Sequence, residues 1–251
     1  MQLDNPKDII WAASNYERHF QLGKDWFVKR QLSTSELPVD VDGQVIRPLW
    51  DTERLRNEHA ATTFIRQHTT IPVPEGQLYS RDGLLHFASR RVRDATQLDA
   101  CPPPTRTTAV AAVEQQMRRF IIPQLQRLQR AQVGSAGRHL PLVPPRRVYR
   151  RDDRAWERPA SADGGGEVFV FCHNDLEPKN VWIHPETFKI VAVTGWEQAG
   201  FFPHCFELAL WTALGWEERQ AMQRSVLARD LAFFGLRPGD LRNCVRNPCL
   251  R

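Results

Sequence analysis

Short apolar runs separated by polar loops occupy the centre of the chain and predict a group of strands. The runs are Val-Phe-Val-Phe-Cys at 168–172, Val-Trp-Ile at 181–183 and Ile-Val-Ala-Val at 190–193. Runs of this length, bounded by turn residues, are typical of buried strands. The loop between the first two runs carries the pattern His173-x-Asp175-x-x-x-x-Asn180. We therefore expect strand, polar loop, strand, turn and strand, with a carboxylate and a carboxamide held on the loop.

The hydrophobic pattern before this stretch predicts a mixed N-terminal region. Ile10, Ala13 and Tyr16 stand at helical spacing, whereas Trp26 to Lys29 alternate as in a strand. Asp51 or Thr52 is a suitable helix N-cap. The predicted elements are a helix over 9–21, a hairpin over 20–32 that turns at 23–25, a helix over 52–68, and strands over 77–79 and 84–89.

The remainder of the chain is predicted to be mainly helical. An apolar stripe predicts a long helix over 107–132, and Pro123 should kink it. Residues 133–166, rich in Gly, Pro, Arg and Asp, are expected to form a loop with a flexible Gly-rich part at 162–166. One or two helices are expected over 206–234, with Gly235 as the stop signal.

Composition and charge narrow the classes of function. The chain has 251 residues and a net charge of +5, with 34 Lys and Arg against 29 Asp and Glu. The basic residues are scattered and do not alternate with aromatic ones, which argues against nucleic-acid binding. No stretch is apolar enough for a membrane span, and the first residues do not resemble a signal peptide. Five cysteines without CxxC spacing indicate reduced thiols, so we expect a cytoplasmic protein. No pattern indicates an oligomeric state.

The polar loop has the residue types that phosphoryl transfer requires. Asp175 could orient and deprotonate an attacking hydroxyl, and Asn180 could hold a metal ion on nucleotide phosphates. The alternative is a hydrogen-bonded hairpin loop, because Asn, Asp and Pro are ordinary turn residues. The loop alone leaves both interpretations open.

Residues 169–200 resemble the catalytic and metal-binding loops of the aminoglycoside phosphotransferase and choline kinase-like family. The similarity continues in Trp196-Glu197-x-Ala199-Gly200, where the family has an aspartate directly before the tryptophan and this chain has Gly195. The phrase Ile-Pro-Val-Pro at 71–74 resembles the fungal branch of that family.

This resemblance implies an α+β, bilobal, protein-kinase-like fold that binds ATP. The N-terminal nucleotide-binding lobe would span residues 1–93, and the mainly helical catalytic lobe would span residues 94–251. Asp175 would be the catalytic base, and Asn180 a Mg²⁺ ligand. Lys29 would contact phosphate with Glu58 as its partner. Lys29 as a solvent-facing strand residue and Glu58 as an exposed helix residue remain alternatives.

Gly195 lacks the carboxylate that the family uses for the metal. Glu197 could compensate as a second metal ligand, because residues two apart on a strand share a face. Three functions therefore stay open. The protein could be an ATP-dependent O-phosphotransferase acting on a hydroxyl-bearing small molecule, with an activity that the missing carboxylate could weaken. It could instead be a catalytically inactive pseudokinase-like binding protein, or a kinase-like fold reused for other chemistry.

Overall fold

A computed structural model describes residues 6–149, 156 and 168–240 of the chain. The helices are α1 (Asp51–His68), α2 (Pro103–Gln116), α3 (Ile122–Arg127), α4 (Arg146–Tyr149) and α5 (Trp216–Phe233). The N-terminal strands are β1 (Ile9–Ser14), β2 (His19–Gly23), β3 (Trp26–Arg30), β4 (Gly76–Arg81) and β5 (Leu84–Arg90). The later strands are β6 (Thr96–Gln97), β7 (Gln129–Arg130), β8 (Gly134–Ser135), β9 (Phe169–Cys172), β10 (Val181–Ile183), β11 (Ile190–Val193) and β12 (Gly200–Phe202).

The N-terminal region is a five-stranded antiparallel sheet in the order β1-β2-β3-β5-β4. The predicted hairpin of β2 and β3 and the predicted strands β4 and β5 are confirmed. The β4–β5 turn places Asp82 at φ 51° and Gly83 at φ 74°. Positive φ at both central residues is the geometry that matches the twist of a tight hairpin.

The predicted helix over residues 9–21 is wrong, because the chain forms the hairpin β1–β2 there. The side chain of Asn15 closes the turn: its Oδ1 accepts hydrogen bonds from the backbone N–H groups of Glu17 and Arg18, each at 2.8 Å. Asn often forms such turns through its own side chain. The three apolar positions that suggested a helix were too few to distinguish it from two short strands.

Helix α1 confirms the predicted helix, but it begins differently. The N-cap is Trp50 at φ 55°, without a side-chain cap, rather than Asp51 or Thr52. One face of α1 is fully buried and includes Leu55, Ala61 and Ile65. This face turns α1 toward the C-terminal part of the chain.

The predicted long helix over 107–132 is instead three consecutive pieces that end at Arg127. Helix α2 passes into a π-helical turn, Met117–Ile121, and then into α3. Pro123 has no N–H to donate to the preceding turn, so the helix is disrupted at the expected place. Residues 129–130 then form strand β7, which pairs with β9.

The C-terminal part combines helices with two small sheets, ordered β11-β10-β6 and β7-β9-β12-β8. The three predicted central strands are confirmed as β9, β10 and β11. The expected loop over 133–166 contains β8 and α4, and its Gly-rich part lies outside the described residues. Over 206–234 only α5 is α-helical, and Gly235 at φ 69° follows its end as predicted.

A single large hydrophobic core connects α1 with the C-terminal part. It contains Ile65 of α1, Met117, Phe171 and Trp196, whereas a small separate cluster of Trp26, Val28 and Ala88 lies on the sheet. None of the helices in the described part of the chain is both long and apolar enough to cross a membrane. The protein thus has a β-rich N-terminal region and a mainly helical C-terminal part, in agreement with the predicted α+β class.

Candidate functional site

The polar loop between β9 and β10 is held in place by His173. The imidazole is fully buried, and its Nε2 lies 2.9 Å from the carbonyl oxygen of Thr194. Its Nδ1 accepts a hydrogen bond from the N–H of Asp175 at 3.2 Å. Burial lowers the pKa of His173 to about 3, so the ring is neutral and Nε2 carries the proton. His173 therefore supports the loop.

Asp175 and Asn180 contact each other within the loop. The Asn180 Nδ2 donates to the backbone oxygen of Asp175 at 2.7 Å and to its Oδ2 at 3.0 Å. Burial raises the pKa of Asp175 to about 6. A carboxylate with a pKa near neutral and a fixed orientation has the properties of a general base.

Glu207 stabilises this loop through two hydrogen bonds to its backbone. No pattern in the sequence predicted this role for Glu207. Its carboxylate accepts hydrogen bonds from the backbone N–H groups of His173 and Asn174. Asn174 has φ 67°, a conformation that costs energy unless the surroundings hold it. Burial raises the pKa of Glu207 to about 7, against the effect of these two hydrogen bonds.

Lys29 of β3 stands between two carboxylates. Its Nζ lies 2.6 Å from Glu58 Oε2 and 3.0 Å from Glu197 Oε1. Burial alone would lower the pKa of Lys29, but Glu197 and Glu58 outweigh it and raise the pKa. Glu58 is 2% exposed, and its burial raises its pKa against the pull of Lys29. The alternatives of a solvent-facing lysine and an exposed glutamate are therefore wrong.

Two further residues of α1 connect that helix to the segment around Glu197. Arg54 Nε lies 3.2 Å from Glu197 Oε2. Asn57 is fully buried and donates through Nδ2 to the carbonyl oxygens of Glu197 at 3.0 Å and Ala199 at 2.8 Å. Its Oδ1 accepts from the N–H of Ala136 at 3.0 Å. Arg54 and Asn57 are three residues apart and lie with Glu58 on one face of α1. This polar helix face could have been recognised in the sequence.

The predicted site residues thus form two contact groups that the segment 194–197 joins. Asp175 and Asn180 form one group, while Lys29, Glu58 and Glu197 form the other. Gly195 lies beside the first group, since a Cβ built on it would be 2.5 Å from Asn180 Oδ1. Their roles as catalytic base, metal ligands and nucleotide contacts remain predictions.

The residues as placed do not fit a divalent cation held by carboxylates. Both oxygens of Glu197 are engaged, one by Lys29 and the other by Arg54. Although burial alone would raise the pKa of Glu197, these cations keep it well below its usual range. The Asn180 side chain stands where a side chain at Gly195 would begin. In the described ranges of the chain, no three His, Cys, Asp or Glu residues are grouped as a metal site.

Comparison with known proteins identifies the fold. No family model matches the sequence, and no curated protein is significantly similar to it. Among solved structures, a thermostable mutant of the aminoglycoside phosphotransferase APH(4)-Ia in its apo form is 12% identical, with a TM-score of 0.52 over 93% of this chain and 83% of that one. The fold is that of a kinase-like phosphotransferase.

The same enzyme in a ternary complex gives a similar result. That structure, of another thermostable variant with AMP-PNP and hygromycin B, has a TM-score of 0.51 and 13% identity, and the alignment covers 91% of this chain and 83% of that chain. At such identities the likeness concerns the fold alone. It agrees with the predicted fold class and leaves the role of each side chain to be judged from its own surroundings.

Proposed function

We propose that this protein is a kinase-like nucleotide-binding protein in which metal-dependent phosphoryl transfer is impaired. The observation that carries the proposal is the occupation of the metal side of the site. Asn180 takes the space next to Gly195, and Glu197 is neutralised by Lys29 and Arg54. A hard cation held by one or two carboxylates loses much of its site when these are missing or paired.

The nucleotide side of the site supports binding. Lys29 is fixed by Glu58, as a phosphate-contacting lysine would be in the kinase-like arrangement. The related fold of APH(4)-Ia has been solved with the nucleotide analogue AMP-PNP. ATP is therefore the ligand we propose for this chain, without Mg²⁺ as an obligatory partner.

A small-molecule O-phosphotransferase is the second candidate, favoured by Asp175. Its raised pKa of about 6 and its two contacts with Asn180 suit a base that accepts the proton of an acceptor hydroxyl. APH(4)-Ia has been solved with hygromycin B. A hydroxyl-bearing small molecule is accordingly the acceptor class for this candidate.

Asp175→Asn tests this second candidate. If ATP is turned over, the substitution should lower turnover by about 10²-fold or more, the usual contribution of a general base. Phosphorylated product would be followed by mass spectrometry after incubation with ATP, Mg²⁺ and a panel of hydroxyl-bearing metabolites. The exposed Asp82 (side chain 89% exposed), changed to Asn, serves as the control. Unchanged turnover in Asp175→Asn would show that the loop takes no part in the chemistry.

Gly195→Asp, with Gly195→Ala as its control, tests the main proposal. Both substitutions add a Cβ that displaces Asn180, but only aspartate returns a carboxylate. We expect wild-type protein to bind ATP with less than about a twofold response to Mg²⁺. Gly195→Asp should bind at least about tenfold more tightly with Mg²⁺ than without it, and Gly195→Ala should show no such response.

Titration calorimetry with ATP, in Mg²⁺ or in EDTA, measures these affinities. Strong Mg²⁺ dependence of ATP binding and phosphorylation by the wild-type protein would favour the phosphotransferase over the impaired form. Absence of ATP binding in all three proteins would contradict both candidates and leave a kinase-like fold used for other chemistry.

A further inference from the structure

A line of alternating charges leads from the lysine to the polar loop. Glu197 is paired with Arg54, and Arg54 Nη1 lies 3.1 Å from Glu17 Oε2. The other carboxylate oxygen of Glu17, Oε1, lies 2.9 Å from Arg146 Nη2. Glu17 therefore bridges two guanidinium groups, one from α1 and one from α4. This bridge uses residues outside the motifs that suggested the fold family.

The turn between β1 and β2 delivers Glu17 to this place. Asn15 fixes the turn, and Arg18 anchors it to α1 by an ion pair with Asp51 and a 2.7 Å bond to the Asp51 backbone oxygen. In the folded chain, the Glu17 side chain is 17% exposed. Arg146 is 40% exposed, whereas Arg54 is 1% exposed. Solvent therefore reaches the bridge from the Arg146 side, and Arg54 becomes accessible only when the Glu17 side chain moves away.

Arg146 also belongs to the surroundings of the polar loop. Burial raises the pKa of Asp175, and the positive charges of Lys179 and Arg146 oppose that effect. Lys179 Nζ lies 3.7 Å from Asp175 Oδ2 and 2.8 Å from Glu177 Oε2. Lys179, at 48% exposure, is thus a solvent-accessible cation in contact with Asp175, and the charge of the exposed Arg146 also acts on Asp175.

We propose that Arg54 and Arg146 form a phosphate-binding subsite that the Glu17 carboxylate occupies until phosphate groups of a ligand displace it. A carboxylate held by two guanidinium groups presents the same negative oxygens that a phosphate would offer, and Arg binds both groups through its planar fork. The subsite takes the phosphates of a nucleoside triphosphate directly, without a metal ion. This inference rests on the proposed nucleotide binding.

The subsite accounts for how a protein without a fitting metal site would hold a polyanion. Once Glu17 is displaced, Arg54 and Arg146 supply positive charge that a carboxylate-held cation would otherwise provide. Glu17 is then an internal competitor, and the apparent affinity falls by the fraction of time that it occupies the subsite. Removing its charge should tighten binding, whereas removing Arg146 should weaken it.

The test compares Glu17→Gln and Arg146→Gln with matched controls. Glu36→Gln removes a carboxylate that pairs with Arg30 elsewhere on the sheet, and Arg118→Gln removes an exposed guanidinium that pairs with Glu114 on α2. Titration calorimetry in EDTA uses two probes, ATP and inorganic tripolyphosphate. Thermal melts establish that each variant is folded.

We expect Glu17→Gln to bind both probes about tenfold more tightly than wild type, as for a competitor that fills the subsite about nine-tenths of the time. Arg146→Gln should bind both about tenfold more weakly, since it loses a charge-assisted contact to phosphate. The two control variants should match wild type within about twofold.

Two results would overturn the subsite while leaving nucleotide binding intact. One is binding of ATP by wild type with unchanged affinity in both Glu17→Gln and Arg146→Gln. The other is a response with ATP but not with tripolyphosphate, which would place the effect away from the phosphates. Failure of every variant to bind ATP would overturn the subsite and the proposed function together. If only Arg146→Gln folds, its loss or retention of affinity still decides the question.

Discussion

Lys29 lies between two carboxylates, so replacing it with a neutral residue should measurably lower the free energy of unfolding. Its side chain is 11% exposed, and those of Glu58 and Glu197 are 2% and 15% exposed. Breaking a buried ion pair by removing one partner leaves an uncompensated charge. The resemblance to the kinase-like family predicted this pair, whereas the strand and helix patterns alone left both residues open as solvent-exposed. Glu197 was predicted as a metal ligand, and its two carboxylate oxygens contact Lys29 and Arg54.

Lys29→Met should lower the free energy of unfolding by about 3 kcal/mol at pH 8. The loss should shrink at pH 5, because Glu58 without its lysine can take up a proton. Urea denaturation at the two pH values measures both effects. Lys24→Met, on the exposed β2–β3 turn, should stay within about 0.5 kcal/mol of wild type. A loss below about 1 kcal/mol in Lys29→Met would mean that the ion pair is an incidental contact.

At the scale of the element, the polar loop depends on Glu207 for support. Loop position and the Asp175–Asn180 spacing could be predicted, because the flanking apolar runs fixed where the strands end. The role of Glu207 could not be predicted, because its side chain bonds to backbone N–H groups that are 34 and 33 residues away in the sequence. Such long-range contacts leave no local pattern. The hairpin β1–β2 was not predicted either. Its turn depends on hydrogen bonds to the Asn15 side chain, and the helical spacing of three residues favoured a helix instead.

Glu207 should give the stability of the protein a distinct dependence on pH. Burial raises its pKa to about 7 in the folded protein, from an ordinary value of 4.5 in the unfolded chain. Its stabilising contribution is therefore complete below about pH 4.5 and is lost as the pH rises through 7. The slope is at most about 1.4 kcal/mol per pH unit. Asp175, with its pKa raised to about 6, acts in the same direction.

Glu207→Gln removes this titration. Between about pH 4.5 and 7.5 the free energy of unfolding of wild type should fall relative to that of Glu207→Gln, by up to about 3 kcal/mol. Guanidinium denaturation at several pH values gives the two curves, and Glu217→Gln on the exposed part of α5 should follow wild type. Parallel curves for wild type and Glu207→Gln would contradict the shifted pKa.

At the scale of the whole molecule, the main core crosses the predicted lobe boundary near residue 93. Ile65 of α1 and Trp196 belong to one cluster, and Asn57 hydrogen-bonds to both the 197–199 segment and Ala136. The class of fold could be predicted from the resemblance of residues 169–200 to a kinase-like family. The packing of α1 against the C-terminal part could not be predicted. The sequence shows that α1 has a buried face, but not which segment packs against that face.

We therefore expect both halves to unfold in one transition. Ile65→Ala should cost about 2–5 kcal/mol, the usual range for a buried large-to-small change, and should shift the unfolding of all probes together. Far-UV circular dichroism and tryptophan fluorescence would be followed in the same urea series. Val41→Ala, at a side chain that is 91% exposed, is the control. Separate transitions for the two probes would show that the lobes are independent folding units.

The packing around Gly195 links any side chain at that position to Asn180. The φ of Gly195 is 81°, which aspartate tolerates better than most residues, so the backbone alone admits the Gly195→Asp substitution. A Cβ at 195 would lie 2.5 Å from Asn180 Oδ1, and Asn180 in turn holds Asp175. Positions 180 and 195 are therefore energetically coupled, and in a double-mutant cycle the effect of Gly195→Asp should depend on the size of the side chain at 180.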